Sequence, residues 1–94
     1  MGQKTTCTFV NQYSEIEGFQ KRRTVTYSAK IIPEGVYLLI KEVTGSDVLT
    51  QACICSSVSF EKAVSFLKYI CENSIDIGSW YGVLDDMDMR FTVV

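Results

Sequence analysis

Hydrophobic and polar residues alternate through the first half of the chain and adopt a helical spacing in the second. From Thr5 to Val10, Cys7 and Phe9 fall on one side and Thr6 and Thr8 on the other. That is the period of a half-buried strand. Asn11 to Gly18 is more polar and reads as a strand extension or a loop. From Arg23 to Ile32, Val25, Tyr27, Ala29 and Ile31 share one face, and Thr24, Thr26, Ser28 and Lys30 the other. Pro33-Glu34-Gly35 breaks this run with tight-turn residues. Val36 to Val43 follows, rich in β-formers, with Val36, Leu38 and Ile40 on one face. Thr44-Gly45-Ser46-Asp47 predicts a second turn, and Leu49 to Cys55 another strand. Turns this short join antiparallel neighbours, so the runs predict a meander of three to four strands.

After Cys55 the period changes. Phe60, Ala63, Val64, Leu67, Ile70 and Cys71 recur at helical intervals and define one apolar face. Ser59 is positioned to accept a hydrogen bond from an unpaired first-turn amide. Glu61 lies where the helix dipole favours negative charge, and Val58 can staple onto Ala63. Glu72-Asn73-Ser74 predicts the end of this helix. Asp76 can cap a second one carrying Ile77, Trp80, Tyr81, Val83, Leu84 and Met87. Gly78 and Gly82 lower its intrinsic propensity, so packing must hold it. Arg90 to Val94 returns to β-formers, as a tail or an added edge strand.

The fold class these elements predict is α+β: an antiparallel β-meander followed by two helices on one sheet face. The expected core contains Val25, Tyr27, Ile31, Leu38, Ile40, Val64, Leu67 and Leu84. A length of 94 residues fits one domain, residues 1–94. No internal repeat or low-complexity stretch interrupts it. The longest apolar run, Gly35 to Ile40, is far shorter than a membrane span. The N-terminus lacks the apolar stretch of a signal peptide. Gly2 and Thr6 match the loose N-myristoylation pattern, yet only Lys4 nearby could supply the second membrane signal a single acyl chain needs.

Composition narrows the chemistry. The chain has no histidine, which removes the usual general base and the commonest metal ligand together. No nucleophile elbow, Walker loop or dinucleotide fingerprint occurs. No catalytic residue and no cofactor is therefore assigned. Thiolates suit zinc, but Cys7, Cys53, Cys55 and Cys71 lack paired C-x-x-C spacing. The plainer reading is four small apolar residues in a reducing compartment. Asp85, Asp86 and Asp88 could offer oxygen ligands to a divalent cation, as a metal-dependent hydrolase would need. Their spacing is not that of an EF-hand, and a solvated acidic helix end explains them as well.

Charge separates the two halves. Residues 1–47 carry six bases and five acids, and residues 48–94 three bases and six acids. Between Glu72 and Met89 there are five acids and no base, interleaved with Trp80, Tyr81 and Met87. Aromatic side chains beside an acidic rim suit a protein partner with a basic surface. The expected partner-binding residues are Trp80, Tyr81, Asp85, Asp86 and Asp88. The competing reading is that the aromatics close the core. Lys21, Arg22 and Arg23, with the sheet aromatics Tyr27 and Tyr37, offer a nucleic-acid alternative. A net charge of −2 and a pI near 5.0 argue against strong phosphate affinity.

Tyr27-Ser28-Ala29-Lys30-Ile31 resembles a strand motif built on Tyr-Gly-Ile, and Cys55-Ser56-Ser57 a strand-end motif before the long helix. Ile75 to Met87, with Val83-Leu84-Asp85-Asp86-Met87, resembles a short closing helix. Together, over about residues 23–88, these resemble a family of small uncharacterised clostridial and related Firmicute proteins, a domain of unknown function. Ser28 replaces that family's glycine and Ser79 its histidine. The resemblance implies a bacterial or phage, cytoplasmic setting and a sheet-then-helices order, and brings no activity with it. The functional expectation is a non-catalytic protein-binding module. It would be a regulator or an inhibitor, in its sharpest form an acidic anti-defence, anti-CRISPR-like protein filling a groove made for phosphate. Homodimerisation through a strand edge or the helix face is left open by the pattern.

Overall fold

Turns at Pro33-Glu34 and Gly45-Ser46 separate the middle strands, the period changes after Cys55, and the described residues form seven elements. These are β1 (Thr6–Tyr13), β2 (Arg23–Ile32), β3 (Gly35–Thr44), β4 (Asp47–Cys55), α1 (Phe60–Glu72), α2 (Trp80–Asp86) and β5 (Phe91–Val93). The computed structural model describes residues 5–14, 16–18 and 22–94. The strands form one antiparallel sheet in the order β1-β2-β3-β4-β5. The sheet has five strands rather than three to four, because the C-terminal residues return beside β4. Cys53 pairs with Val93, and Cys55 with Phe91.

Strand pairing fixes which residues face the helices. Ala29 opposes Leu38, which opposes Cys53, and Tyr27 opposes Ile40. Directly opposed residues share a face, so Val25, Tyr27, Ala29, Val36, Leu38, Ile40, Cys53 and Cys55 form one inward surface. All of them are buried. Gly35 opens β3 hard against β4. Its φ is +146°, and a side chain there would collide with the Cys55 carbonyl oxygen. Glycine is the only residue that admits this approach.

Ser59 caps α1 as the sequence predicts, its Oγ accepting from the Lys62 amide at 3.1 Å. The buried stripe of α1 is Ala63, Phe66, Leu67 and Ile70. Relative to the expected face it is rotated toward Phe66, which leaves Val64 half-buried at the rim. Ile31 also departs from expectation. It keeps the inward parity of β2 but is 42% exposed, because the helical layer does not reach that end of the strand. Val25, Tyr27, Leu38, Ile40, Leu67 and Leu84 are in the core as expected.

Both helices end in the same way. After α1, the amide of Ser74 bonds the Cys71 carbonyl and that of Ile75 bonds the Ile70 carbonyl. After α2, Asp88 bonds Asp85 and Met89 bonds Leu84 through the same backbone groups. Ser74 (φ 53°) and Asp88 (φ 55°) take the left-handed position that glycine usually fills in this Schellman arrangement. Asp76 does not cap α2. Its Oδ1 accepts from the Gly78 amide, closing a separate turn, and the helix begins at Trp80. The two layers make a slab of 44 × 34 × 21 Å.

Leu67→Ala is expected to lower stability by about 2–5 kcal/mol, because it opens a cavity beneath α1. Ile31→Ala should cost about 1 kcal/mol, since the side chain keeps 42% of its surface in water and its loss encloses no cavity. Urea unfolding of the two variants checks this difference; equal losses would place the core boundary elsewhere.

Candidate functional site

The acidic aromatic segment folds into α2, its terminal turn and β5, at the β4–β5 edge of the sheet. Trp80 lies in the core at 0% exposure, and its indole Nε1 donates to Gln51 Oε1 at 2.9 Å. Tyr81 is half-buried, and its hydroxyl donates to the Ala52 carbonyl at 3.0 Å. Trp80 stacks on Tyr81 with ring centres 4.7 Å apart, and Tyr81 on Phe91 at 5.3 Å. This three-ring stack holds a helix of only seven residues against β4 and β5. It supplies the tertiary packing that Gly82 in α2 makes necessary. The two aromatics are thus anchors of the site, and Trp80 offers a partner no side-chain surface.

Asp85, Asp86 and Asp88 are all exposed. Asp85 and Asp86 close α2, and Asp88 stands at the left-handed cap position. Asp85 and Asp88, with Met89, Arg90 and Phe91, line a shallow depression of about 500 Å³. Met87, at 36% exposure, stands on the same turn as these carboxylates, and Val93, at 58%, lies on β5 two positions beyond Phe91. The corner therefore presents acidic and apolar groups together. Among the described residues, no three acidic, thiol or imidazole groups come together in a way that could hold a metal ion. Comparisons with protein-family models, curated proteins and solved structures find no match for this chain.

The residues of the nucleic-acid alternative do not converge. Tyr27 faces the helices and is fully buried, whereas Tyr37 has the opposite parity and lies on the open sheet face. Arg23 is turned to the helix side. Its Nη1 lies 3.6 Å from Glu42 Oε1, and its guanidinium sits 4.3 Å from the Tyr13 ring centre. Arg22 is exposed beside it, and Lys21 lies outside the described residues. So does Gly2 of the lipidation pattern, while Thr6 opens β1. No helix of the described residues is long and apolar enough to cross a membrane.

The four thiols likewise do not gather in one place. Cys53 and Cys55 are fully buried neighbours on β4, and Cys7 on β1 is separated from them by two intervening strands. The hydrogen bond with Cys55, reinforced by burial, pushes the Cys53 thiol up. Burial, and then the charge of Glu72, raises Cys71. Raised thiols stay protonated and are poor nucleophiles. Cys71 instead donates its S–H to Asn11 Oδ1 at 3.3 Å, while Asn11 Nδ2 donates to the Cys71 carbonyl at 2.6 Å. Asn11 thus ties β1 to the end of α1. Its only signal in the sequence is a polar residue on the inward row of Cys7, Phe9 and Tyr13, and Gln51 is a second such case on β4.

Tyr27 carries a pH dependence. Its hydroxyl donates to the Ile75 carbonyl at 3.0 Å, and burial followed by proximity to Tyr13 raises its pKa from 10.0 to about 12. The unfolded chain ionises this group first, so its contribution is complete below pH 10 and is lost as pH climbs from 10 toward 12. Tyr27→Phe should cost about 1 kcal/mol at neutral pH, by removing the hydroxyl donor from the carbonyl of half-buried Ile75. It should also flatten the alkaline decline. Denaturant midpoints of both proteins from neutral pH to pH 12 measure this; parallel declines would remove Tyr27 as its source.

Proposed function

We propose that this chain is a non-catalytic protein-binding module, a regulator or inhibitor that docks a basic surface of its partner at the α2–β5 corner. The observation that carries the reading is the meeting of three exposed carboxylates with exposed Met87 on one small, rigidly anchored corner. Carboxylates at the rim steer a cationic partner and set its orientation. The apolar side chain among them supplies contact area that water leaves readily. The Trp80–Tyr81–Phe91 stack fixes the corner before binding, which limits the ordering cost of association. The resemblance to small clostridial proteins suggests a bacterial or phage setting, and there the partner would be a nucleic-acid-handling protein whose phosphate groove these acids enter.

A fluorescent Lys/Arg-rich peptide with interspersed leucines serves as the probe, followed by anisotropy at low and moderate salt. Replacing Asp85, Asp86 and Asp88 with Asn together should weaken binding about tenfold and flatten its salt dependence. Asn tolerates the left-handed conformation at position 88, so the α2 terminus survives the change. Equal affinity and an equal salt slope in both proteins would exclude this corner.

A further inference from the structure

The two edges of the sheet are treated differently. At the β4 edge, β5 covers Cys53 to Cys55 and the Val94 amide bonds the Ala52 carbonyl; the remaining stretch, which includes exposed Val48 and Leu49, is short and begins with the charge of Asp47. Short strands and charges of this kind prevent unwanted edge pairing. The outer edge of β1 carries neither device. It is eight residues long, Thr-Cys-Thr-Phe-Val-Asn-Gln-Tyr, without a charge, proline or glycine. Among the described residues no strand lies beyond it. Val10 near its middle is 50% exposed.

The register determines which backbone groups this edge offers. The Ile31 amide bonds the Thr5 carbonyl, and β1 pairs onward as Thr6 with Lys30 and Cys7 with Ala29. In an antiparallel ladder hydrogen-bonded pairs alternate. The odd-numbered residues of β1 therefore address β2. Thr6, Thr8, Val10 and Gln12 turn their N–H and C=O groups outward.

We infer that the β1 edge pairs with the β1 edge of a second copy of this chain, giving a two-fold dimer with one continuous sheet. One antiparallel register engages every outward residue: Thr6 opposite the second copy's Gln12, and Thr8 opposite its Val10. The two-fold axis then passes between the two Phe9 residues, a non-hydrogen-bonded pair, where facing side chains stand closest. Phe9 is half-buried against the core in the single chain, and its copy covers the remainder. A two-fold contact sets each surface against itself, so a charged strand would repel its own image. The uncharged β1 meets no such penalty. The axis is perpendicular to the sheet, so both helical layers lie on one side. The α2–β5 corner is at the opposite sheet edge and stays open in both copies.

Sedimentation velocity of the full chain, from micromolar to sub-millimolar concentration, tests the pairing. The expected species has twice the 10.6 kDa chain mass. Val10→Pro removes an outward amide without touching the β1–β2 ladder, and should yield a monomer with an unchanged circular dichroism spectrum. Phe9→Cys should form a covalent dimer under mild oxidation. The parent chain should not, since Cys7 faces Asn11 in this register. Adding Val10→Pro to Phe9→Cys should abolish the cross-link. A monomeric parent at every concentration overturns the inference and leaves this edge to a foreign strand. A parent dimer that persists in Val10→Pro, or a Phe9→Cys protein that does not cross-link, also overturns it by moving the contact to another surface.

Discussion

The stripe of Ala63, Phe66, Leu67 and Ile70 on α1 lies over the inward row of β2, flanked by β1 and β3, and the other features depend on that contact. A sheet in water needs one face covered, and the side-chain period of two makes the choice of face all-or-none along each strand. Once α1 covers Tyr27, Leu38 and Ile40, pairing carries the same parity outward to Cys53 and Cys55 on β4 and to Phe9 on β1. The polar tie between Asn11 and the end of α1 holds the first strand to the same layer. The short α2 completes the cover through Trp80 and Leu84.

This arrangement explains how the chain mixes structural and surface roles within a few residues. In the run from Trp80 to Phe91, the aromatics, Leu84 and Met89 pack down, and Asp85, Asp86, Met87 and Asp88 point out. A helix of seven residues cannot hold such a division by propensity alone. The ring stack reaching Phe91 and the bonds to Gln51 and Ala52 hold it from below. The rigidity of the acidic corner is therefore a property of β4 and β5 as much as of α2. The cysteines follow the same logic: Cys53 and Cys55 serve as small buried groups, and Cys71 as a hydrogen-bond donor to Asn11.

Much of the fold was legible in local pattern. The strand runs, the turns at Pro33 and Gly45, the Ser59 cap and the end of α1 at Glu72 follow from periodicity, turn chemistry and capping, which act over a few residues. The errors concern longer range. Val64 and Phe66 both belong to the apolar arc of α1, and only the docking angle decides which is central. Ile31 has the right parity but lies beyond the helical cover. Asp76 suits a helix cap, yet its carboxylate is engaged by Gly78. The candidate site was legible to a similar degree. The three exposed aspartates were marked by charge clustering, whereas the inward turn of Trp80 depended on its partner Gln51, 29 positions earlier.

By itself, the sequence determined the succession of strands and helices, the two-sided character of each strand, and the concentration of acid near the C-terminus. Each is written in residues close together along the chain, where steric and hydrophobic preferences operate. The tertiary structure decided that Arg90 to Val94 would add a fifth strand, and that Tyr27 and Tyr37 would part to opposite faces. It also decided that β5 would cover one end of the β4 edge, while among the described residues no strand lies beyond the uncharged β1. Those outcomes depend on pairing between segments far apart in sequence. Such pairing is fixed only when the core closes and every strand must share one buried face.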